Sequence, residues 1–477
     1  MPNDDKINAK INAKANVKID IENLDSLQQK FPESSEFPEV SSPVSPPISP
    51  SSKKQQENPK KTSNHLKSRL IAKDFFDTVG YSFNSQQFVN IFFFLSGAGF
   101  FLIGLITGFK TILSVISSSV VSGYKRSNAV YKRIVMVSGI IFAVLLIALA
   151  FSVQIHAVIT FSIILLLIGI FVVLHGDFYM KLKESLKLQS RRMAFLKKYS
   201  LIITAACLLI TGYVLDRVNV IPLFGINFNN SFIMFSISAL AILLGVLMVY
   251  TIKSDNNKVM NEERFSYAVY SGMKSIFLSF SSFMKDKLIL MLILSGMLVS
   301  TVQILGSAYY GVFIYQNLGK YGFGPYMNVA VVFTIAALAS MIGPFISRIN
   351  AKEYGKVPML VFGTLLMAIM PLTFYYNPNI VSISMGTLIG IIGAAISGVA
   401  TGLLSSEIVP DTKRDEYFSM LGVFSVLPCI ITVPAGAWIA SSYGISSLFL
   451  LLGTILILVA CIYFSIVILH HKKNVKM

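Results

Sequence analysis

The feature that most constrains this chain is a series of apolar segments, each about as long as a helix that crosses a bilayer. Twelve can be placed, and the chain as a whole is 54% hydrophobic and 13% charged. A soluble domain could not bury that much apolar surface, so the sequence predicts an all-α membrane protein with twelve transmembrane helices. The predicted spans are 75–95, 100–122, 134–153, 156–176, 199–215, 231–252, 288–315, 326–346, 357–376, 380–404, 417–440 and 445–469.

Lysine and arginine are distributed unevenly between the loops on the two sides of the predicted bundle. Loops after even-numbered spans are basic, whereas the loops on the other side contain only Arg217 and Lys320. Because basic loops stay in the cytoplasm, both termini are predicted to be cytoplasmic. The net charge of +17 is thus explained by topology, and no nucleic-acid partner is expected. We expect a multi-pass protein of the cell membrane.

A pattern in residues 88–126 recurs in residues 310–348 without a gap, at an offset of 222 residues. Each copy has an apolar segment, a turn with glycine, a second apolar segment and an arginine. Gly97 falls on Gly319, and Arg126 falls on Arg348. The pattern favours two duplicated six-helix halves, a common design for transporters with a central site. Chance similarity between two apolar hairpins is the alternative.

Composition divides the chain into two tails, two apolar halves and a connector. Residues 1–66 are rich in polar residues and proline and are predicted to form a disordered cytoplasmic tail. The two halves are predicted at 72–252 and 288–470, followed by a basic tail at 471–477. The connector 253–287 has an apolar stripe at helical spacing. This stripe predicts an amphipathic helix, either on the cytoplasmic membrane surface or packed under the bundle.

Two basic loops carry a resemblance to a known family. The segment GPFISR, residues 343–348, is followed by Gly355 and Lys356, and the earlier segment VSGYKR occupies residues 121–126. These resemble the G-x-x-x-D-R-x-G-R-K signature of the major facilitator superfamily, although Ser347 and Lys125 stand where that family has aspartate. The segment EIVPDTKR, residues 407–414, is also similar. The resemblance implies two six-helix halves around a cavity lined by the first, fourth, seventh and tenth helices.

The same loops predict a gate on the cytoplasmic side. Arg126 and Arg348 follow helix ends, where they can pair with carbonyl groups or acidic side chains and hold the halves together. Glu407 and Arg414 are further candidates for such a network. The alternative is that each charge only determines topology.

Polar side chains within the predicted spans indicate a solute-binding site. Lys110 lies near the middle of the second span, at a cost of about 2.5–3.5 kcal/mol that usually makes a lysine face protein or water. It can hold an anionic part of a solute, or bond a neighbour such as Gln86. Hydrogen bonding between helices is the alternative for the other polar residues. The predicted solute-binding residues are Lys110, Gln86, Tyr81, Gln303, Ser307 and Tyr310.

Acidic residues within the predicted spans are few. Asp77 and Asp177 are candidates for proton coupling. The histidines and the three cysteines have no spacing typical of a metal site, so neither a metal nor a cofactor is expected. No nucleophile–base pattern indicates an enzyme.

These patterns predict a secondary active or facilitative transporter that moves a small polar or anionic solute by alternating access. The expected partners are the solute and the lipid bilayer, with protons as a candidate coupling ion, and the chain is expected to be a monomer. An exporter of amphipathic compounds, of the drug-efflux type, is the alternative within the same fold. A membrane receptor that has lost transport is the alternative from another class.

Overall fold

The computed structural model describes residues 59–123, 127–186, 190–218, 220–223, 226–252, 287–319, 322–350, 355–409, 417 and 421–474. Most of the predicted tail, the connector 253–286, Arg126 and Arg414 therefore lie outside the described residues. Within them, the first helix begins at Pro59, inside the range predicted to be disordered.

The first half consists of helices and one short β-hairpin. Its elements are α1 Pro59–Phe83, α2 Gln86–Leu95, α3 Phe100–Gly123, α4 Asn128–Gln154, α5 Val158–Ser185, α6 Ser190–Arg217, β1 Val220–Leu223, β2 Ile226–Asn229 and α7 Asn230–Tyr250. The two strands pair antiparallel, with Val220 opposite Asn229.

The second half has helices and no strand among its described residues. Its elements are α8 Lys287–Leu318, α9 Pro325–Asn350, α10 Lys356–Tyr376, α11 Ile380–Ile408, α12 Cys429–Tyr443 and α13 Ile445–Asn474.

Eleven segments in the described residues are long and apolar enough to cross a membrane. The predicted first span, 75–95, is occupied by the end of α1, which is long but polar, and by α2, which is apolar but only 10 residues long. The chain is therefore an integral multi-pass membrane protein, as the apolar segments predicted.

The helices define two ends of the bundle. The turn 96–99, the β-hairpin and the start of α9 lie at one end, where Gly97 approaches Val158 and Gln154 bonds Asn229. We call this end the hairpin side. The end at which α1 begins and α13 ends is the terminal side.

The repeat is less regular in the structure than in the sequence. The first predicted span is broken at Asn84 and Ser85, whereas the equivalent residues of α8 lie within one continuous helix. The hairpin-side turn is also longer in the second half. Gly97 has a positive φ of 103°, but in the second half Gly322 and Gly324 have this conformation. As a result α9 begins at Pro325, three residues later than the offset predicts.

Candidate solute-binding site

The break between α1 and α2 exposes polar groups in the interior of the bundle. Ser85 is the N-cap of α2, with an extended ψ of 141°, but its side chain makes no capping bond. The buried polar atoms Tyr81 Oη, Asn84 Oδ1 and Ser85 Oγ have no hydrogen-bond partner among the described residues. Since such atoms are costly to bury alone, they are available to water or to a solute.

Lys110 contacts the first residue after this break. Its Nζ donates to Gln86 Oε1 over 2.5 Å, and Gln86 Nε2 donates in turn to Asn90 Oδ1 over 2.7 Å. Thr107 Oγ1 also donates to Asn90 Oδ1. Lys110 therefore bonds a neighbouring side chain, as one prediction expected. That neighbour, Gln86, is itself part of the cavity wall.

A cavity of about 440 Å³ lies beside the break, between α1, α2, α6 and α9. Eight of the eleven lining residues carry a hydroxyl or amide group, whereas carbon atoms form most of the exposed surface, and Leu208, Phe333 and Ala337 form an apolar side. The wall includes side chains from both halves of the chain. The lining residues are Thr78, Tyr81, Ser82, Ser85, Gln86, Gln87, Ser200, Thr204, Leu208, Phe333 and Ala337.

The two halves contact each other between this cavity and the hairpin side. Asn90 Nδ2 donates to the carbonyl oxygens of Ser307 and Ala308 over 3.2 and 3.0 Å. Gln87 Oε1 accepts from the Gly311 amide over 3.0 Å. Tyr309 Oη donates to the Phe100 carbonyl over 2.8 Å. These bonds join α2 and the start of α3 to α8, so they hold the hairpin side closed.

Asp77, a predicted coupling residue, lies in a buried ionic cluster closer to the terminal side. The Lys73 ammonium bonds its carboxylate, and Lys73 Nζ also lies 2.7 Å from His175 Nε2. The Val135 carbonyl, 3.0 Å from His175 Nδ1, favours the tautomer with hydrogen on that nitrogen. His175 Nε2 can then accept from Lys73. Asp177 lies half-buried two residues beyond His175.

The cluster is enclosed by neighbouring helices. Lys73 has no exposed surface, and its Nζ lies 4.6 Å from the centre of the Tyr179 ring. Lys183 Nζ lies 4.4 Å from the same ring and 2.6 Å from Asp74 Oδ1. A side chain at Gly245 would begin 2.8 Å from Asp77 Oδ1, so glycine lets α7 approach the ion pair. The cluster therefore joins α1, α5 and α7.

The residues predicted on α8 divide into three environments. Gln303 is exposed. Ser307 is half-buried, with its hydroxyl bonded to the Ile304 carbonyl of its own helix. Tyr310 corrects the prediction of a cavity residue, because its ring stacks on Phe449 at 5.1 Å and packs against Phe374 at 4.7 Å. Helical spacing could not distinguish a cavity face from this aromatic core.

Of the predicted gate residues, Glu407 has a described partner. Its Oε2 lies 2.6 Å from Lys356 Nζ, and this ion pair joins α11 to α10 within the second half. Arg348 lies on α9. A role for these residues between the halves stays a prediction.

The resemblance implied a cavity lined by the first, fourth, seventh and tenth helices, whereas this cavity is lined by the first span together with α6 and α9, the fifth and eighth spans. Ser200 and Thr204 are four residues apart and so share one helix face. That spacing was available in the sequence as a signal. Lys73 and His175 were also missed: Lys73 is one helical turn from Asp77, a spacing that the sequence does show, whereas His175 is about a hundred positions away.

Comparison with known proteins agrees with this fold. The sequence model of the Major Facilitator Superfamily matches residues 342–476. A multi-drug resistance efflux pump, PmrA from Streptococcus pneumoniae strain TIGR4, is 28% identical over 148 residues. That match covers 30% of this chain and 36% of the relative, so it spans about a third of the curated protein.

Solved structures with this fold match over most of the chain. The nucleoside transporter NupG superposes with a TM-score of 0.65 at 12% identity, covering 84% of this chain and 98% of the other. The xylose transporter XylE from E. coli, inward open, gives 0.60 at 15% identity, covering 84% and 96%. A proton-dependent oligopeptide transporter gives 0.62 at 15% identity, covering 86% and 99%.

The architecture defines the chain as a twelve-helix membrane protein built from two halves. Its fold is that of the solved transporters above, and the match of the Major Facilitator Superfamily model to residues 342–476 agrees with the resemblance found in the basic loops.

Proposed function

We propose that this protein is a transporter that moves a small polar solute across the membrane by alternating access. One observation carries the proposal. A cavity lined by hydroxyl and amide side chains lies between the two halves, and the halves contact each other on its hairpin side. A solute bound there could exchange with one side of the membrane while the other side stays closed.

The cavity wall supports a hydrogen-bonding solute. Tyr81 and Ser85 present polar atoms that have no partner among the described residues. Gln86 presents an amide whose oxygen is held by the Lys110 ammonium. We propose that Lys110 either binds an anionic group of the solute directly or polarises Gln86 for a neutral one. The solved proteins of similar fold are named as nucleoside, xylose and peptide transporters, which are consistent with a polar solute.

A second candidate function is the export of amphipathic compounds. The apolar side of the cavity, formed by Leu208, Phe333 and Ala337, would suit such molecules. The partial similarity to an efflux pump supports the same candidate.

Purified protein in liposomes would test the proposal. A panel of nucleosides, pentoses, short peptides, organic anions and amphipathic dyes is first screened for thermal stabilisation, because a ligand that binds the folded state raises its melting temperature. Compounds that stabilise are then tested for counterflow into liposomes preloaded with the same compound.

Saturable counterflow of a polar compound would support the main proposal, and movement of dyes alone would support the second candidate. Binding without counterflow under either a proton gradient or none would favour the receptor alternative and contradict transport. The variant Ser85→Leu, which places an apolar side chain in the cavity wall, provides a site-directed control.

Coupling and gating belong to the same proposal. Asp77 is the coupling candidate that we favour, because it lies in an ionic cluster with His175 and one helical turn from the cavity residue Tyr81. Arg126, Arg348, Glu407 and Arg414 remain the proposed cytoplasmic gate. A monomer in the cell membrane, with both termini in the cytoplasm, remains the expected state.

A further inference from the structure

The start of α9 is capped by a side chain from the other half of the protein. Asp216, next to the last residue of α6, accepts the Tyr326 amide on Oδ1 over 3.1 Å and the Met327 amide on Oδ2 over 2.8 Å. The carboxylate therefore bridges the two halves at the hairpin side.

This contact satisfies the N-terminus of α9. The first four amides of a helix have no partner within it, and here Pro325 carries no N–H. Asn328 N bonds the Gly324 carbonyl, which leaves the amides of Tyr326 and Met327 for an outside acceptor. Asp216 takes both. A carboxylate at this position also meets the positive end of the helix dipole.

The position just before α9, whose side chain would normally cap the helix, is a glycine. Gly324 stands before Pro325 and has no side chain, in a conformation with φ of 130° that favours glycine. A Cβ at Gly324 would lie 2.4 Å from Asp216 Oδ2, in the space that the carboxylate occupies. The local sequence thus leaves the cap to the opposite half.

The surrounding interface is tight at this end and gives way to the cavity further along the two helices. Gly212 lies so close to α9 that a Cβ there would be 2.5 Å from Ala330 Cβ. Two turns from Gly212 along α6, away from the hairpin side, the Ala205 carbonyl accepts a hydrogen bond from Thr334 Oγ1. Beyond that point, Ser200 and Ala337 line the cavity. The ends of α6 and α9 must therefore separate before the cavity can open to the hairpin side.

We propose that Asp216 is a latch, a carboxylate that locks the hairpin side closed by capping α9 and leaves it when that side opens. In the open state both amides and the carboxylate would be hydrated, so the cap contributes only to the closed state. Losing a helix cap typically shifts an equilibrium by about fivefold.

Distances between the halves test the latch directly. Spin labels on cysteines at Ile155 and Tyr376, exposed positions near the hairpin-side ends of α4 and α10, report separation of the halves there. The background replaces Cys207, Cys429 and Cys461. Double electron–electron resonance is recorded on the full chain in nanodiscs without solute. Asp216→Ala should raise the ratio of long-distance to short-distance populations about fivefold.

Asp216→Asn keeps the size of the side chain but has one accepting oxygen, so it should give a smaller shift of the same sign. Glu184→Gln, which removes an exposed carboxylate near the terminal side, is the matched control and should leave the distribution unchanged. If the alanine variant does not fold, the asparagine variant decides. Distributions equal to wild type in the folded Asp216 variants would overturn the latch. Because no solute is used, this result is independent of the transport assay.

Discussion

Lys73 is a fully buried lysine whose ammonium bonds side chains from two helices. Removing an ammonium from water is costly unless it is paired and hydrogen-bonded. Here Asp77 on the next helical turn provides the opposite charge, and His175 accepts a further bond. Lys356, in contrast, pairs with Glu407 at the surface of the bundle, where 37% of its side chain is exposed.

This difference in burial predicts different stabilities for two matched variants. Lys73→Met should destabilise the protein by about 3–5 kcal/mol, because it leaves a buried carboxylate without its cation. Lys356→Met should cost about 0–1 kcal/mol, since exposed ion pairs contribute little. Denaturant unfolding in detergent measures both. The double variant Lys73→Met/Asp77→Asn should recover part of the loss, and equal effects of the two single variants would contradict the argument.

A further prediction concerns Lys110 in the candidate solute site. Lys110→Met keeps the length of the side chain but removes the charge that orients Gln86. We expect near-normal expression and thermal stability, with solute affinity at least about tenfold weaker, as for loss of a hydrogen bond to a charged group. Isothermal titration with a compound from the thermal screen measures the affinity. Unchanged binding, or a stabilised variant with unchanged affinity, would leave Lys110 with a structural role only.

At the scale of the elements, the apolar pattern predicted the spans well because burial in lipid determines it. The break at Asn84 and Ser85 was not predicted, because a helix of membrane length with scattered polar residues has the same pattern whether continuous or broken. The later start of α9 was also missed. Its cause is the positive φ of Gly322 and Gly324, and a glycine in the sequence does not show which conformation it takes.

The residues that line the cavity could also be predicted only in part. Tyr81 and Gln86 do line the cavity, because polar residues within a span usually face protein or water. Tyr310 does not, because a tyrosine hydroxyl can also be accommodated in an aromatic core. The pairing of Lys73 with His175 depends on how α1 and α5 pack, which the sequence alone does not reveal.

Close packing of α6 on α9 gives a prediction for one element pair. Gly212→Ala places a Cβ 2.5 Å from Ala330 Cβ and 3.1 Å from backbone atoms of Tyr326 and Met327, which cannot move independently of the helix. The substitution should push the hairpin-side ends of α6 and α9 apart and increase the open population. Gly398→Ala on α11, where no atom lies within 4 Å of the new Cβ, is the control.

The same labels at Ile155 and Tyr376 measure this effect. A Gly212→Ala protein with the wild-type distance distribution would show that the two helices absorb the extra methyl group without separating. A comparable shift in Gly398→Ala would show that the change is not specific to this interface.

At the scale of the whole molecule, the loop charges predict which side of the membrane each end of the bundle occupies. Basic loops connect the helices on the terminal side, whereas Arg217 and Lys320 are the basic residues of the loops on the hairpin side. The terminal side should therefore face the cytoplasm. The Asp216 contact would then face outward, and the ionic cluster of Asp77 would lie towards the cytoplasm.

Cysteine labelling of intact cells tests this orientation. In a background without Cys207, Cys429 and Cys461, single cysteines are introduced at Asn377 and Ser442, both exposed on the hairpin side, and at Asn256 in the connector. An impermeant maleimide should label the first two from outside and reach Asn256→Cys only after the cells are permeabilised. Labelling of Asn256→Cys in intact cells would reverse the orientation, place the Asp216 latch in the cytoplasm and make Arg348 part of an external gate.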